Sequence, residues 1–355
     1  MSRLRPSITP SCSSHSQCST LALALLFLVF ILSCTEEQKR SLDSSAPVAE
    51  NTIKLIKIDP AHSNIFFNNQ IKENKRLNYF IWNFIYQGAG VAIGDINNDQ
   101  LPDIYLSGNM VTDKLYLNKG DFVFEDISQR AGIEDRLWST GVSMVDINAD
   151  GYLDIYVCKN FFLLQDGVRK NKLFINNGDL TFTEKSAEYG LDDAGFSVQS
   201  SFLDIDNDGD LDMYLVNQPM DQYAAALGKA ENIARMPYSD KIFINNNGRY
   251  VDRTNALSLN NRRYGLNVLT ADFTGNGRSD IYVCNDYNKG DQFIINKGAQ
   301  RLEDEIHSRL DHTSFYSMGS DAADINNDGW LDFITLDMAF GNHYRSKTNM
   351  ESMRP

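Results

Sequence analysis

A nine-residue acidic segment recurs five times along the chain, and this repeat restricts the possible fold more than any other feature. The copies read DINNDQLPD from Asp95, DINADGYLD from Asp146, DIDNDGDLD from Asp204, DFTGNGRSD from Asp272 and DINNDGWLD from Asp324. They begin 51, 58, 68 and 52 residues apart. Self-similarity at this period is typical of propellers and solenoids, in which each repeat forms one structural unit.

Each repeat also contains the sequence signals of four short β-strands. An apolar run such as GVAIG precedes the acidic segment, and another such as IYLSG follows it. A second half, such as KLYLNKGDFVFEDI from Lys114, has two β-rich runs around an Asn/Gly turn, which is typical of a hairpin. Four antiparallel strands are the content of one propeller blade. We therefore predict an all-β fold, a calcium-binding β-propeller of about five to six blades in residues 61–355.

The acidic segments have the pattern of cation-binding loops. Oxygen-bearing side chains occupy places 1, 3, 5 and 9, and a backbone carbonyl is available at place 7. Such a loop offers about five or six oxygens, which suits Ca²⁺ better than the stricter octahedral Mg²⁺. We expect about five Ca²⁺ ions. The predicted ligands, with the place-7 residue acting through its carbonyl, are Asp95, Asn97, Asp99, Leu101 and Asp103; Asp146, Asn148, Asp150, Tyr152 and Asp154; Asp204, Asp206, Asp208, Asp210 and Asp212; Asp272, Thr274, Asn276, Arg278 and Asp280; and Asp324, Asn326, Asp328, Trp330 and Asp332.

An EF-hand begins with a similar pattern, but its loop needs a bidentate Glu at place 12 and helices on both sides. Place 12 here is Leu106, Val157, Leu215, Val283 and Thr335, so an EF-hand is excluded. Two other interpretations are acidic turns in solvent and catalytic carboxylate pairs. Five equivalent copies favour a structural metal site over both.

The five loops differ in ways that predict different properties. Glycine occupies place 6 in four loops, where a sharp turn favours positive φ, whereas the first loop has Gln100 at a strain of about 1 kcal/mol. The fourth loop has two carboxylates and Arg278 at place 7, so we predict it to be the weakest cation site. Tyrosines two residues after the last ligand are predicted to pack between blades.

The N-terminus resembles an export signal. Leu21 to Leu32 form an apolar block of twelve residues, which is shorter than the roughly 20 residues of a membrane span but suits the apolar core of a signal peptide. The following Ser33 and Cys34 complete a lipobox-like sequence. We predict a signal peptide over residues 1–33, lipid on Cys34 and a flexible tether over residues 34–60. An ordinary cleaved signal and an uncleaved anchor are the alternatives.

Composition narrows the choice of partners. The chain has 47 acidic and 33 basic side chains and a formal net charge of −14, which disfavours nucleic acid. The five histidines are scattered, and we assign no catalytic residue. Cys158 and Cys284 are predicted to be buried thiols that form no disulfide with each other.

The loops and their flanking strands resemble FG-GAP, or VCBS-type, repeats of the integrin α-subunit propeller. The wider sequence GAGVAIGDINNDQLPDIYLSGN resembles large bacterial surface lipoproteins with VCBS repeats, which often have an ASPIC/UnbV domain after the propeller. This resemblance implies a seven-bladed propeller, whereas five loops are present here and the sequence stops soon after the fifth. We therefore expect a C-terminally truncated piece of a longer protein.

These observations favour an exported, non-enzymatic, calcium-rigidified module that binds protein or glycan ligands at the surface of a Gram-negative bacterium. The lipid on Cys34 would attach it to the outer membrane, and the acidic Glu36 and Glu37 suggest export to the cell surface. A propeller-based lyase or glycosidase acting on polysaccharides is one alternative, and a fragment with no function of its own is another. An Ala-rich segment, Met220 to Met236, predicts an inserted helix on the propeller rim.

Overall fold

The computed structural model describes residues 55–161, 168–219, 239–258, 261, 263–286 and 290–338. Residues 1–57 and 58–355 form separate units, and the described residues of the first, 55–57, are exposed. The predicted signal peptide, Cys34, most of the tether and the helix at Met220–Met236 lie outside the described residues. Within the described ranges, every helix is too short or too polar to span a bilayer.

The described strands form four four-stranded antiparallel sheets and one two-stranded sheet, and neighbouring strands follow each other in the chain. We call these sheets blades 1 to 5. Blade 1 contains β1 (Val91–Gly94), β2 (Asp103–Leu106), β3 (Lys114–Asn118) and β4 (Phe124–Asp126). Blade 2 contains β5 (Ser139–Val145), β6 (Asp154–Lys159), β7 (Lys172–Asn176) and β8 (Phe182–Glu184). Blade 3 contains β9 (Ser197–Leu203), β10 (Asp212–Asn217), β11 (Lys241–Asn245) and β12 (Tyr250–Asp252).

Blade 4 contains β13 (Tyr264–Ala271), β14 (Asp280–Asp286), β15 (Gln292–Asn296) and β16 (Leu302–Asp304), and blade 5 contains β17 (Ser317–Ala323) and β18 (Asp332–Asp337). The predicted all-β fold with four-stranded antiparallel blades, a β-propeller, is confirmed.

Short helices occur before and between the blades. Their bounds are α1 (Pro60–Ser63), a 3₁₀ helix (Asn83–Tyr86), α2 (Ser128–Ala131), α3 (Ser186–Tyr189) and α4 (Ile306–Arg309). The last three follow the fourth strand of blades 1, 2 and 4, and so lead the chain to the next blade. Both α2 and α3 end at a glycine in the left-handed conformation, Gly132 and Gly190, which is a common way to stop a helix.

The first strands of adjacent blades lie against each other at close range. The Gly90 N–H donates to the Thr140 carbonyl at 2.8 Å. A Cβ atom added to Gly141 would lie 2.3 Å from the Val198 carbonyl oxygen, so a larger residue cannot fit there without a backbone shift. Glycine therefore permits the tight inner contact between blades 1, 2 and 3.

The core lies between the blades rather than within one sheet. One apolar cluster joins Tyr105 of blade 1 to Phe174 of blade 2, and another joins Tyr156 of blade 2 to Phe243 of blade 3. The predicted packing role of the tyrosines is confirmed, because the exposed fraction of each is at most 1% for Tyr105, Tyr156, Tyr214 and Tyr282. In the described part of the chain no sheet follows blade 5, and there Ile325 is 70% exposed.

Candidate metal centre

Each acidic loop joins the first strand of a blade to the second, so all five loops lie at the same end of the blades. The place-1 carboxylate organises the turn. In the third loop Asp204 Oδ1 accepts the N–H of Asp208 at 3.2 Å, and Asp204 Oδ2 accepts the N–H of Gly209 at 3.0 Å. Asp146 makes the same two bonds in the second loop, at 3.0 and 2.9 Å. These side-chain to main-chain bonds replace a regular ladder and bend the backbone around one carboxylate.

Two places in every loop adopt positive φ. Place 6 has φ of 89°, 96°, 76° and 86° at Gly151, Gly209, Gly277 and Gly329, and φ of 69° at Gln100. The predicted turn at place 6 is thus confirmed, and Gln100 adopts the left-handed conformation for which we predicted strain. Place 4 is also left-handed, with φ between 57° and 66°, at Asn98, Ala149, Asn207, Gly275 and Asn327. The prevalence of Asn and Gly there was an available signal, because both tolerate this conformation.

In the first three loops the place-9 carboxylate accepts from both the loop and the third strand, and so anchors the loop to its own blade. Asp212 is fully buried; its Oδ1 accepts the Asn245 N–H at 2.7 Å and its Oδ2 accepts the Ile205 N–H at 2.9 Å. Burial raises the pKa of Asp212 to about 7, against the effect of these bonds and with a further rise from nearby Asp206 and Asp210. Burial likewise raises the pKa of Asp154 to about 6. The sequence predicted a ligand at place 9 but not this anchoring role.

The third loop has the most concentrated negative charge. Asp204, Asp206 and Asp208 each place one carboxylate oxygen within 4.8 Å of the other two. Asp206 Oδ1 and Asp210 Oδ1 are buried without a hydrogen-bond donor. Burial, followed by the charge of Asp208, raises the pKa of Asp210 to about 6. Burying an oxygen without a hydrogen-bond donor costs free energy, and a bound cation would offset that cost. These oxygens therefore fit a cation ligand set. Asp210 thus offers a side chain where the sequence predicted only a carbonyl.

The other loops hold less charge. Their place-3 residue is an amide in three cases, and Asn97 Nδ2 donates to Asp99 Oδ2 at 2.9 Å, as Asn148 does to Asp150 at 2.8 Å. In the fourth loop the place-5 residue is Asn276, whose Oδ1 accepts the Arg278 N–H at 2.9 Å. Among the described residues, the third loop is therefore the one that brings three carboxylates together at short range.

The loops of neighbouring blades are also joined. Asn176, the last residue of β7, donates its Nδ2 to the Ile96 carbonyl of the preceding blade's loop at 2.8 Å. Asn296 at the end of β15 makes the same bond to the Ile205 carbonyl at 2.8 Å. Within the row of loops, Asn98 Nδ2 donates to the Gly151 carbonyl at 2.9 Å. We call these contacts the inter-blade amide hydrogen bonds.

A buried network at the opposite end of the blades was missed by the sequence analysis. The core tyrosines donate their hydroxyls to an Asp just before the third strand, at 2.9 Å for Asp113, 2.8 Å for Asp240 and 2.6 Å for Asp291. Blade 2 has Asn171 there instead, and its Nδ2 donates to the Tyr156 hydroxyl at 3.0 Å. The available signal was the recurring polar residue immediately before each hairpin half.

The two core thiols are as predicted. Cys158 and Cys284 are free and buried. Burial raises the pKa of the Cys158 thiol to about 12, which keeps it protonated and unreactive at neutral pH.

The acidic loops lie within segments that match a known repeat family. Residues 95–157, 160–215 and 272–335 match the FG-GAP-like repeat. These segments make up just over half of the chain and include all five acidic loops. The chain belongs to the FG-GAP-like repeat family. All three FG-GAP-like matches end on the second strand of a blade, β6, β10 or β18, and two of them start at the first residue of an acidic loop.

This FG-GAP-like chain has distant relatives among known proteins. It is 25% identical over 235 residues to cartilage acidic protein 1 of Xenopus tropicalis, covering 64% of this chain and 33% of that protein. It is 24% identical over 216 residues to cartilage acidic protein 1 of Homo sapiens, covering 60% of this chain and 30% of that protein. The chain thus spans about a third of the length of these relatives.

Among solved structures, the chain is similar to an Agrocybe aegerita lectin that was described with its specific recognition of non-reducing terminal N-acetylglucosamine. The identity is 18%, the TM-score is 0.39, and the match covers 69% of this chain and 59% of the lectin chain. A likeness at this level does not bear on what this FG-GAP-like chain binds.

Proposed function

We propose that this chain is an exported FG-GAP-like propeller that Ca²⁺ stabilises and that binds a protein or glycan ligand at the cell surface, without catalysing a reaction. The observation that supports it most is the third loop, where Asp206 Oδ1 and Asp210 Oδ1 are buried without a donor beside two further carboxylates. Five loops of one design, in equivalent positions of successive blades, indicate a structural purpose rather than a single reaction centre.

The donor set fits a hard cation of flexible geometry. Carboxylate, amide and carbonyl oxygens are the ligands that Ca²⁺ prefers. A bound Ca²⁺ would supply positive charge to a loop that otherwise holds several like charges at short range. In the third loop the ligands would be Asp204, Asp206, Asp208 and Asp210, with Asp212 linking the site to the blade. Burial is the main cause of the raised pKa values of Asp210 and Asp212, and the neighbouring carboxylates raise them further.

The affinities should differ among the loops. The third loop has five carboxylates, whereas the fourth has two and Arg278 at place 7. We expect Asp204→Ala to remove a tight site and Asp272→Ala to remove a weak one. Calcium titration in an isothermal calorimeter measures the affinity and number of the sites that remain in each variant. Equal loss of affinity in the two variants would contradict the proposed order.

The test of calcium stabilisation uses the full chain after removal of metal with a chelator. Thermal unfolding is recorded with no metal, with millimolar Ca²⁺ and with millimolar Mg²⁺, and metal content is determined on the same samples. We expect a clear calcium-dependent rise in the unfolding midpoint with close to five ions bound, and a smaller rise with Mg²⁺. An unchanged midpoint with no bound calcium would refute the proposal.

Export and lipid attachment need a separate test. The chain is expressed in a Gram-negative host with radiolabelled palmitate, beside Cys34→Ser and the matched control Cys18→Ser. We expect label and membrane association in the wild type and in Cys18→Ser, and neither in Cys34→Ser. Label that persists in Cys34→Ser, or its absence from the wild type, would refute lipid attachment at Cys34.

A further inference from the structure

A lysine side chain is completely buried where blade 2 meets blade 1. Lys159 is the last residue of β6, and its exposed fraction is 0%. The other described blades have no lysine at the equivalent position, five residues after the place-9 Asp, where they carry Gly108, Asn217, Asn285 and Asp337. Because lysine is almost never fully buried unless it is paired, the groups around its ammonium define what this position does.

Two carboxyl groups face that ammonium. Lys159 Nζ lies 3.0 Å from Asp135 Oδ2 and 3.6 Å from Asp113 Oδ2. Asp113 is fully buried, and its N–H donates to the Asp135 carbonyl at 3.1 Å, which holds the two acids side by side. One ammonium between two carboxylates leaves uncompensated negative charge in a buried site. Proton transfer within the site, or a reaction that removes charge, relieves this cost.

A serine connects the lysine to one of the acids. Lys159 Nζ donates to Ser139 Oγ at 2.6 Å, and Ser139 Oγ donates to Asp113 Oδ2 at 2.8 Å. A proton can pass along this chain from the ammonium to the carboxylate, which replaces two buried charges by a neutral amine and a neutral acid. Burial raises the pKa of Asp113 against the effect of Lys159 and of its hydrogen bonds, so Asp113 is suited to hold that proton.

The second acid is oriented as the electrophile of an acyl transfer. Asp135 Oδ1 accepts the Leu137 N–H at 2.8 Å, while Asp135 Oδ2 faces the amine. A backbone N–H on one carboxyl oxygen stabilises the negative charge that develops there when a nucleophile adds to the carboxyl carbon. The site therefore contains a nucleophile, an electrophile, a proton relay and an oxyanion donor.

Water is excluded from most of this site. Asp113, Ser139 and Lys159 each have an exposed fraction of 0%. The residues next to the paired strand ends are aromatic, and the rings of Trp138 and Phe161 stack at 5.0 Å between their centroids. A dry, preorganised site strengthens the electrostatic interactions of the reacting groups and disfavours hydrolysis of the product.

We propose that Lys159 and Asp135 form an intramolecular amide bond, which links the end of β6 covalently to the segment that leads from blade 1 into blade 2. The inference does not depend on bound Ca²⁺ or on a ligand of the propeller. Because both charges disappear and one water molecule is released, the buried site favours the amide over the ion pair. A covalent cross-link also restricts the unfolded chain, which stabilises the folded protein.

The reaction balances without a further reactant. Asp113 takes a proton from Lys159 Nζ through Ser139, and the nitrogen lone pair then forms a bond to Cγ of Asp135. The charge that develops on Asp135 Oδ1 is stabilised by the Leu137 N–H. The leaving Oδ2 receives the proton that Asp113 returns and a second proton from Nζ, the Cγ–Oδ2 bond breaks, and water departs. One ammonium and one carboxylate thus give one amide and one water.

The test follows the bond directly. The full chain is made by cell-free synthesis, and samples taken at intervals are denatured, digested with trypsin and analysed by mass spectrometry. An amide on Lys159 blocks cleavage after this residue, so the product is a branched peptide that joins residues 131–136 to residues 137–169. Its mass is lower by one water molecule than the sum of the two peptides. We expect this peptide in the wild type and its complete loss in Lys159→Met and Asp135→Ala.

The matched control is the ion pair of Lys170 and Asp192, whose side chains are 42% and 28% exposed. It should stay unlinked, and Lys170→Met should leave the branched peptide unchanged. Asp113→Asn should slow formation of the bond at least ~100-fold, because it removes the group that accepts the proton. Circular dichroism verifies the fold of each variant. Should Asp113→Asn fail to fold, Ser139→Ala, which removes only the relay hydroxyl, measures the same step.

Three results would overturn the inference. The first is a folded wild type that yields only separate peptides, with cleavage after Lys159. The second is loss of water inside the peptide 137–159 without a branch, which is cyclisation at Asp150 and Gly151 rather than a bond to Lys159. The third is formation of the branched peptide at the wild-type rate in folded Asp113→Asn and Ser139→Ala.

Discussion

Replacing Asp240 by Asn should alter the pH dependence of stability in a defined direction. Asp240 is 3% exposed; its Oδ1 accepts the Asn217 N–H at 2.8 Å, and its Oδ2 accepts the Tyr214 hydroxyl at 2.8 Å and Asn261 Nδ2 at 2.6 Å. Burial raises its pKa from 3.8 to about 7 despite these bonds. The folded protein therefore binds a proton at this site more tightly than the unfolded chain does.

The sign of the effect follows from that pKa. A carboxyl whose pKa is raised on folding contributes stability below about pH 4, and this contribution is lost as the pH rises through about 7. At about 1.4 kcal/mol for each pKa unit, the loss is on the order of 4 kcal/mol at most. Asn cannot titrate, so the variant lacks this dependence.

The variant has a cost of its own. An amide nitrogen in place of Oδ2 faces two donors, Tyr214 and Asn261, and each buried donor left without an acceptor costs about 1–3 kcal/mol. We expect Asp240→Asn to be less stable than wild type by about 2–4 kcal/mol at pH 5. That difference should shrink toward zero by pH 8.5, where the wild type must hold a buried charge.

The assay is urea unfolding in saturating Ca²⁺ between pH 5 and 8.5. The wild type and the variant are compared at each pH, so that the contribution of the loop carboxylates to the free energy of unfolding cancels. The matched control is Asn171→Asp, the equivalent position of blade 2, which should acquire a new loss of stability at high pH. A difference between wild type and Asp240→Asn that stays constant, or grows with pH, would refute the reasoning.

Three further predictions concern the loops, the inner strands and the thiols. Gly151→Ala should lower the free energy of unfolding by about 1 kcal/mol, since φ is 89° and no atom lies within 4 Å of the new Cβ. Gly141→Ala should lower it by more, because the new Cβ would clash with the backbone of the next blade. Urea unfolding compares the two variants, and equal losses of stability would contradict this. Without metal, lowering the pH from 8 to 5 should raise the unfolding midpoint, because the loop carboxyls have raised pKa values. With saturating Ca²⁺ the same change of pH should lower the midpoint, because protons compete with the ion for the carboxylates. The same pH dependence of the midpoint in both conditions would count against this. Iodoacetamide followed by peptide mass mapping should label Cys158 and Cys284 only after unfolding, and labelling of the native protein would disprove their burial.

Much of the fold could be predicted because the repeat constrains it at several levels at once. The acidic segment marks the turn between the first two strands, and the Asn/Gly turn after Lys114 and its equivalents marks the hairpin. The strands of all described blades follow this order. Period and turn chemistry are local properties, so they can be read from the sequence without knowing tertiary contacts.

The candidate site was predicted less completely, because its remaining features depend on contacts between distant residues. The second role of Asp212 requires Asn245, which lies 33 residues away. The pairing of Tyr214 with Asp240 is separated by 26 residues, and a tyrosine in an apolar strand gives no sign of its hydroxyl partner. No role was predicted for the segment around Trp82, because it has no counterpart in the repeats that relates it to the blades.

The inter-blade amide hydrogen bonds restrict the length of the loops but not that of the other connecting segments. An extra residue in a loop would displace Ile96 or Ile205 from the Asn of the next blade and break a bond between blades. The nine-residue loops are indeed uniform, whereas the distances between them range from 51 to 68 residues. The segment between the second and third strands, which begins and ends at the end of the blades opposite the loops, grows from seven residues in blade 1 to 23 in blade 3. Insertions can thus diversify one face of the propeller while the opposite face retains a constant length.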